Sequence, residues 1–222
     1  MKPLWKIISL VLTLVLCTCT AFAAANEQYA DTLYELGLFK GTDKGYELEN
    51  TLTREQAATV LVRLLGEENN AEANDYSQVF DDVESDRWSF PYVMYCYENE
   101  ITKGTGEDTF SPAASISGGE FVTLVLRLLG YTDAEPETAF EDAVYRGVFN
   151  SSVAAKLKTA TEFLRDDMVY IVYRSLMTKT ADGAILADVL AEKEVITENQ
   201  AQQFDVYNST DDIDELLEKL LN

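Results

Sequence analysis

One helical pattern recurs three times along the chain, and this recurrence limits the fold more than any other feature. The segments are LTREQAATVLVRLLG (52–66), ISGGEFVTLVLRLLG (116–130) and FLRDDMVYIVYRSLM (163–177). Arg63, Arg127 and Arg174 fall at the same place in each, 64 and 47 residues apart. The first two segments share five identities in fifteen: Thr59/Thr123, Arg63/Arg127, Leu64/Leu128, Leu65/Leu129 and Gly66/Gly130. Ala57, Val60, Leu61 and Leu64 stand at i, i+3, i+4 and i+7, as do Phe121, Leu124, Val125 and Leu128, which is helical spacing. Met168, Ile171, Val172 and Leu176 form a similar stripe. A unit this small cannot bury its stripe alone, so the repeats must pack on one another.

The helix ends are marked in the chain. Thr53 with Gln56 and Ser117 with Glu120 have capping-box spacing, and Gly66 and Gly130 supply left-handed stops. A second element precedes each of the first two helices. LGLFKGTDKGYEL (36–48) matches NEITKGTGEDTFSP (99–112) around Gly41 and Gly104, where the chain turns before a short extended piece. Helices are expected before these loops at 29–36 and 90–99, in the third unit at 139–147, and again at 184–194. The third unit's loop differs. The polar run EENNAEANDY (67–76) reads as an exposed linker, and 132–138 as a shorter break. These boundaries give units over 26–66, 78–131 and 138–197, followed by an acidic tail at 198–222. That tail carries seven acids and one lysine, with Ile213, Leu216, Leu217 and Leu220 at helical spacing, so it is either a docked helix or a fraying appendix. The fold class is all-α.

Composition removes several kinds of chemistry. The chain has no histidine, which excludes Ser-His-Asp and Cys-His catalysis and His-ligated zinc. Acids outnumber bases 39 to 17, a net charge of −22, so no basic footprint for nucleic acid exists. The run Asp81, Asp82, Glu84, Asp86 lacks the glycine and spacing of a calcium loop and reads as a solvated turn. No nucleophile motif, phosphate loop or metal constellation appears in the sequence. A carboxylate hydrolase would need two acids flanking a cleft, which 39 acids satisfy by chance alone. The expectation is a protein that is not an enzyme and takes no metal or cofactor.

The first residues read as an export address. Lys2 and Lys6 precede or flank an apolar run over 7–16, and Ala21-Phe22-Ala23 forms an A-x-A site, so cleavage is expected after Ala23. The run is too short for a comfortable membrane span. Cleavage leaves 15 bases against 39 acids, or −24. Cys17 and Cys19 offer a rival lipidated start, though Leu16 and Thr18 are poor residues before such a cysteine. Cys96 then stands alone among Tyr92, Tyr95 and Tyr97, and reads as a small buried hydrophobe.

These residues resemble surface-layer homology (SLH) domains. The second unit follows that family's pattern with Phe80-Asp81-Asp82-Val83, Trp88, Tyr92, Ile101, Gly104, Phe110-Ser111-Pro112 and the helix from Ile116. The first carries the signature Thr53-Arg54-Glu55-Gln56 without the opening motif. The third is degenerate, with Phe140-Glu141-Asp142-Ala143 and Phe163-Leu164-Arg165-Asp166. The resemblance implies three helix-loop-helix units in a pseudo-threefold bundle. It also implies anchoring of an exported protein at the cell wall or cell surface of a Gram-positive-type bacterium. Binding would be to an anionic, often pyruvylated, secondary wall polysaccharide in grooves between units. Carried over, the acid-binding role falls on Arg54 and Arg165, supported by Thr53 and Glu55. Gly118 occupies the equivalent place in the second unit and leaves that groove without its charge.

Physics supports parts of this picture. Arg54 follows a helix cap, where free N–H groups and the dipole favour an anion and a guanidinium adds a bidentate partner. Trp88 and nearby tyrosines can stack on sugar faces, and Lys103 adds charge. Other readings stand beside these. Arg54 can pair with Glu55 or another acid, Trp88 can be a packing residue, and the recurrent Arg63, Arg127 and Arg174 suit a shared job at helix ends. The net negative charge opposes an anionic polymer at long range, although salt screens this beyond about 8 Å. A surface interaction or scaffolding protein that keeps the fold and has lost glycan binding is the alternative.

Overall fold

In the computed structural model, which describes residues 25–205, every regular element is a helix. The signal-peptide reading of 1–23 and the tail beyond residue 205 lie outside the described residues. The helices are α1 (Glu27–Glu35), α2 (Arg54–Leu64), α3 (Glu68–Ala73), α4 (Phe90–Glu98), α5 (Gly118–Leu128), α6 (Ala139–Tyr145), α7 (Ser151–Thr159), α8 (Arg165–Ser175), α9 (Leu186–Glu192) and α10 (Glu198–Asp205).

Both capping boxes form. Thr53 Oγ1 accepts from Gln56 N and Ser117 Oγ from Glu120 N, while each N3 side chain accepts back from the cap's own N–H. Gly66 and Gly130 end α2 and α5 in the left-handed region. Burial is wider than the predicted stripe. Every residue of α2 except Gln56 and Arg63 is buried, which marks it as a central helix.

The helices pair between units rather than within them. The second helix of each repeat lies on the first helix of the next: α2 on α4, α5 on α6, and α8 back on α1. The last pairing closes the chain into a ring. Ala30 and Leu33 of α1 are fully buried there, Tyr29 stacks on Tyr173 at 4.4 Å and meets Tyr170 edge-on at 5.8 Å. All three junctions share one core.

Three features depart from the sequence reading. The polar run at 67–76 is not wholly a linker, because α3 forms within it and buries Ala71 completely against α4 and α2. The third unit's loop contains the extra helix α7, capped by Asn150. The tail begins as a docked helix: α10 packs on α9, Ala201 and Phe204 are buried, and Phe204 meets Tyr173 edge-on at 5.7 Å. Cys96 is buried, and burial pushes its thiol well above the ordinary range.

The repeated arginines do serve helix ends. Arg63 pairs with Glu68 at 2.6 Å, Arg127 donates twice to Ala134 O, and Arg174 Nε donates to Val148 O.

Candidate functional site: the junctions between units

The starts of α2 and α8 meet neighbouring loops in the same way. Arg54 N donates to Ala114 O at 2.9 Å and Glu55 N to Pro112 O at 3.1 Å. Arg165 N donates to Asn50 O and Asp166 N to Leu48 O, both at 2.9 Å. Pro112 and Ala114 hold the same repeat positions as Leu48 and Asn50. The orphan donors of each helix start are therefore satisfied by the next unit's extended piece. This corrects the expectation of free N–H groups for an anion at Arg54: those two donors are already engaged.

The side chains repeat the pattern. Arg54 Nε donates to Phe110 O at 2.7 Å, with the guanidinium 5.0 Å from the Phe110 ring centroid. Arg165 Nε donates to Tyr46 O at 2.9 Å, with its guanidinium 5.5 Å from the Phe39 ring. Tyr46 and Phe110 are equivalent positions, and the residue after each, Glu47 or Ser111, is left-handed with φ 49° or 60°.

The acid that follows each arginine clamps the next unit's first helix. Glu55 accepts from Arg87 Nε at 2.8 Å, Arg87 NH2 at 3.0 Å and Ser89 Oγ at 2.6 Å, at the start of α4. Asp166 accepts from Asn26 N at 3.0 Å and Asn26 Nδ2 at 2.7 Å, at the start of α1. The predicted site residue Glu55 thus joins units, and its partner is Arg87 rather than Arg54.

The arginines differ in their counter-charge. Arg54 NH1 pairs with Glu120 Oε1 at 2.7 Å, so Arg54 holds an internal carboxylate rather than standing open as the sequence reading supposed. Arg165 is as deeply buried, at 7% exposure, yet has no carboxylate within ion-pair distance among the described residues. Burial lowers the affinity of both guanidinium groups for their proton. Glu120 and Asp82 oppose this at Arg54, and Glu47 at Arg165.

The third junction has neither clamp. Gly118 and Gly119 stand where the others have arginine and acid, and a cleft of about 370 Å³ opens beside Gly118, Thr161 and Phe163. That cleft is lined by none of the predicted site residues. Thr53 is committed to its cap. Lys103 is exposed and pairs with Glu135 at 2.7 Å. Trp88 is 55% exposed, 6.4 Å from the Tyr92 ring, which places it on the surface rather than in the core. Asp82 joins the opening motif to the loop before α5, accepting from Phe110 N at 2.8 Å and Ser111 N at 2.7 Å. Sequence reasoning saw Glu120 only as a cap and missed Tyr46, Arg87 and Ser89. The available signal was the contrast at one repeat position, Glu120 against Gln56.

Residues 79–122, which carry this opening motif, glycine turn and capped second helix, match the family model described as S-layer homology domain. Around it, 185 residues of the chain (82%) are 29% identical to the middle cell wall protein of Brevibacillus brevis, covering 16% of that protein. Over 140 residues (63%) the chain is 32% identical to the surface layer protein of Brevibacillus choshinensis, covering 12% of it. Over 170 residues (69%) it is 26% identical to the cellulosome-anchoring protein of Acetivibrio thermocellus, covering 36% of that protein. The chain thus spans well under half the length of these relatives.

Proposed function

We propose that this is an exported, non-catalytic protein of the cell surface that attaches to the wall by binding an anionic secondary wall polysaccharide. The S-layer homology domain supports a place at the cell surface, as do relatives named for cell wall, surface layer and anchoring. Arg165 takes the acid group of the sugar, and Trp88 offers a face on which a ring can stack. Thr53 and Glu55 hold the junction in shape, and Lys103 adds a screened surface charge.

The observation that carries this reading is the state of Arg165. A guanidinium 7% exposed, resting on a carbonyl and a ring, with Glu47 near but no ion-paired acid among the described residues, is short of a direct counter-charge. A carboxylate from a ligand supplies it, and such a charged hydrogen bond contributes about 1.5–3 kcal/mol. The local gain works against a chain of net charge −22, which slows encounter until salt screens the field.

The test is sedimentation of the processed chain with cell-wall sacculi of a surface-layer-bearing Brevibacillus, before and after hydrofluoric acid removes their secondary polysaccharide. Retention on the first and loss on the second is expected. No retention by a folded chain contradicts the proposal. It favours instead a surface interaction protein without glycan binding, a reading to which the internal pairing of Arg54 and the missing clamp at Gly118 lend support.

A further inference from the structure

We infer that Glu120 is a built-in competitor for the anion position at Arg54, so that of the two signature arginines only Arg165 is open to a sugar carboxylate. This rests on the reading of the junctions as acid-sugar sites.

Arg54 and Arg165 are the first residues of α2 and α8, and each anchors its Nε on the equivalent carbonyl, Phe110 or Tyr46. Each guanidinium lies against an aromatic ring. The difference stands at the third residue of the neighbouring unit's helix. At the Arg54 junction that residue is Glu120, whose Oε2 accepts from Ser117 N at 2.9 Å while Oε1 takes Arg54 NH1 at 2.7 Å. One carboxylate completes a helix cap and neutralises an arginine from the adjoining unit. At the Arg165 junction the same repeat position is Gln56. Its Oε1 accepts from Thr53 N at 3.0 Å, completing the cap, but its amide brings no charge. Both side chains satisfy a capping box, so the choice between them leaves the helix start intact and decides the charge opposite the arginine.

A ligand carboxylate at Arg54 must displace Glu120, which is tethered in place, whereas at Arg165 it meets a guanidinium with no carboxylate within ion-pair distance among the described residues, only the more distant charge of Glu47. Intramolecular tethering gives the internal acid a high effective concentration, so a free sugar acid loses that competition. Two single-atom exchanges therefore interconvert the junctions. Glu120→Gln opens Arg54 while keeping the cap, and Gln56→Glu closes Arg165.

The experiment compares the processed chain, Glu120→Gln, Gln56→Glu and the exposed charge control Glu107→Gln by retention on the same sacculi, with thermal unfolding of each. E120Q is expected to bind about tenfold more tightly, Q56E about tenfold less, and E107Q like the parent, a tenfold change being what one net charged contact gives. Retention of the parent with no change in either E120Q or Q56E overturns this inference and leaves the anchoring reading standing. Retention of E120Q alone keeps Glu120 as the group that blocks Arg54 but overturns Arg165 as the open site, and with it anchoring by the natural chain. Retention of none of the four overturns both.

Discussion

Glu55 stands second in its helix and turns its carboxylate to α4, the first helix of the next unit. Three hydrogen bonds from Arg87 and Ser89 hold it, and it is 7% exposed. Burial alone would raise its pKa, but the bonds from Arg87 and Ser89 outweigh that and hold it below the usual carboxylate range. Glu68 is lowered in the same way by Arg63 and Lys40 against its own burial. A depressed folded-state pKa means stability that is fully present above the unfolded value, near 4.5, and is lost as pH falls through the folded value. Asp167, raised by burial, works in the opposite sense over the same acid range. Urea midpoints should therefore hold steady from pH 7 to 5 and fall below about pH 4.5. Glu55→Gln should cost about 2 kcal/mol at pH 7 and flatten part of that acid loss, because the charged bonds to Arg87 are gone. An unchanged midpoint at pH 7 would show that the junction does not depend on Glu55.

Helices legible in the chain were those with chemical punctuation. Thr53 with Gln56 and Ser117 with Glu120 mark starts, and Gly66 and Gly130 mark stops, so α2 and α5 lie close to where periodicity puts them. The helix α3 was hidden because ENNAEA has no apolar stripe, and its one anchor, Ala71, gains its meaning from contact with α2 and α4. α7 was hidden because it stands where the other two units have a glycine-turn loop. The glycine turn before α5 was legible, and its strictness is structural. Gly104 has φ +81°, and a Cβ there would come within 2.5 Å of Thr109 O and 2.6 Å of the Phe80 ring. Backbone oxygen and a buried ring cannot both yield. Gly104→Ala should therefore destabilise the protein by about 2–3 kcal/mol, measured by chemical denaturation. A loss under half a kilocalorie would mean that the turn relaxes freely.

At the scale of the molecule, the ring is the property that the chain conceals. Repeats show that units must pack, but not that α8 returns to α1 or that Asp166 reaches Asn26 across 140 positions. Nor could spacing show that Arg54 meets Glu120, 66 residues away, since that pairing exists only once two units are side by side. The closure carries a prediction of its own. Asp166→Ala removes the clamp on α1 while leaving its core residues, so amide exchange should quicken in α1 and in the first turn of α8, with α5 unaffected. Uniform protection across all helices would argue against separate junctions.

Functionally, the account turns on one guanidinium. The most direct measurement is the affinity of purified secondary wall polysaccharide for the processed chain, Arg165→Lys, Arg165→Gln and Arg54→Gln, with circular dichroism confirming that each is folded. Lysine keeps the charge and can still reach Tyr46 O, so partial binding is predicted. The neutral glutamine at Arg165 should lose at least about tenfold, while Arg54→Gln, whose charge is already satisfied by Glu120, changes little. Binding that survives Arg165→Gln and disappears with Arg54→Gln would contradict the account.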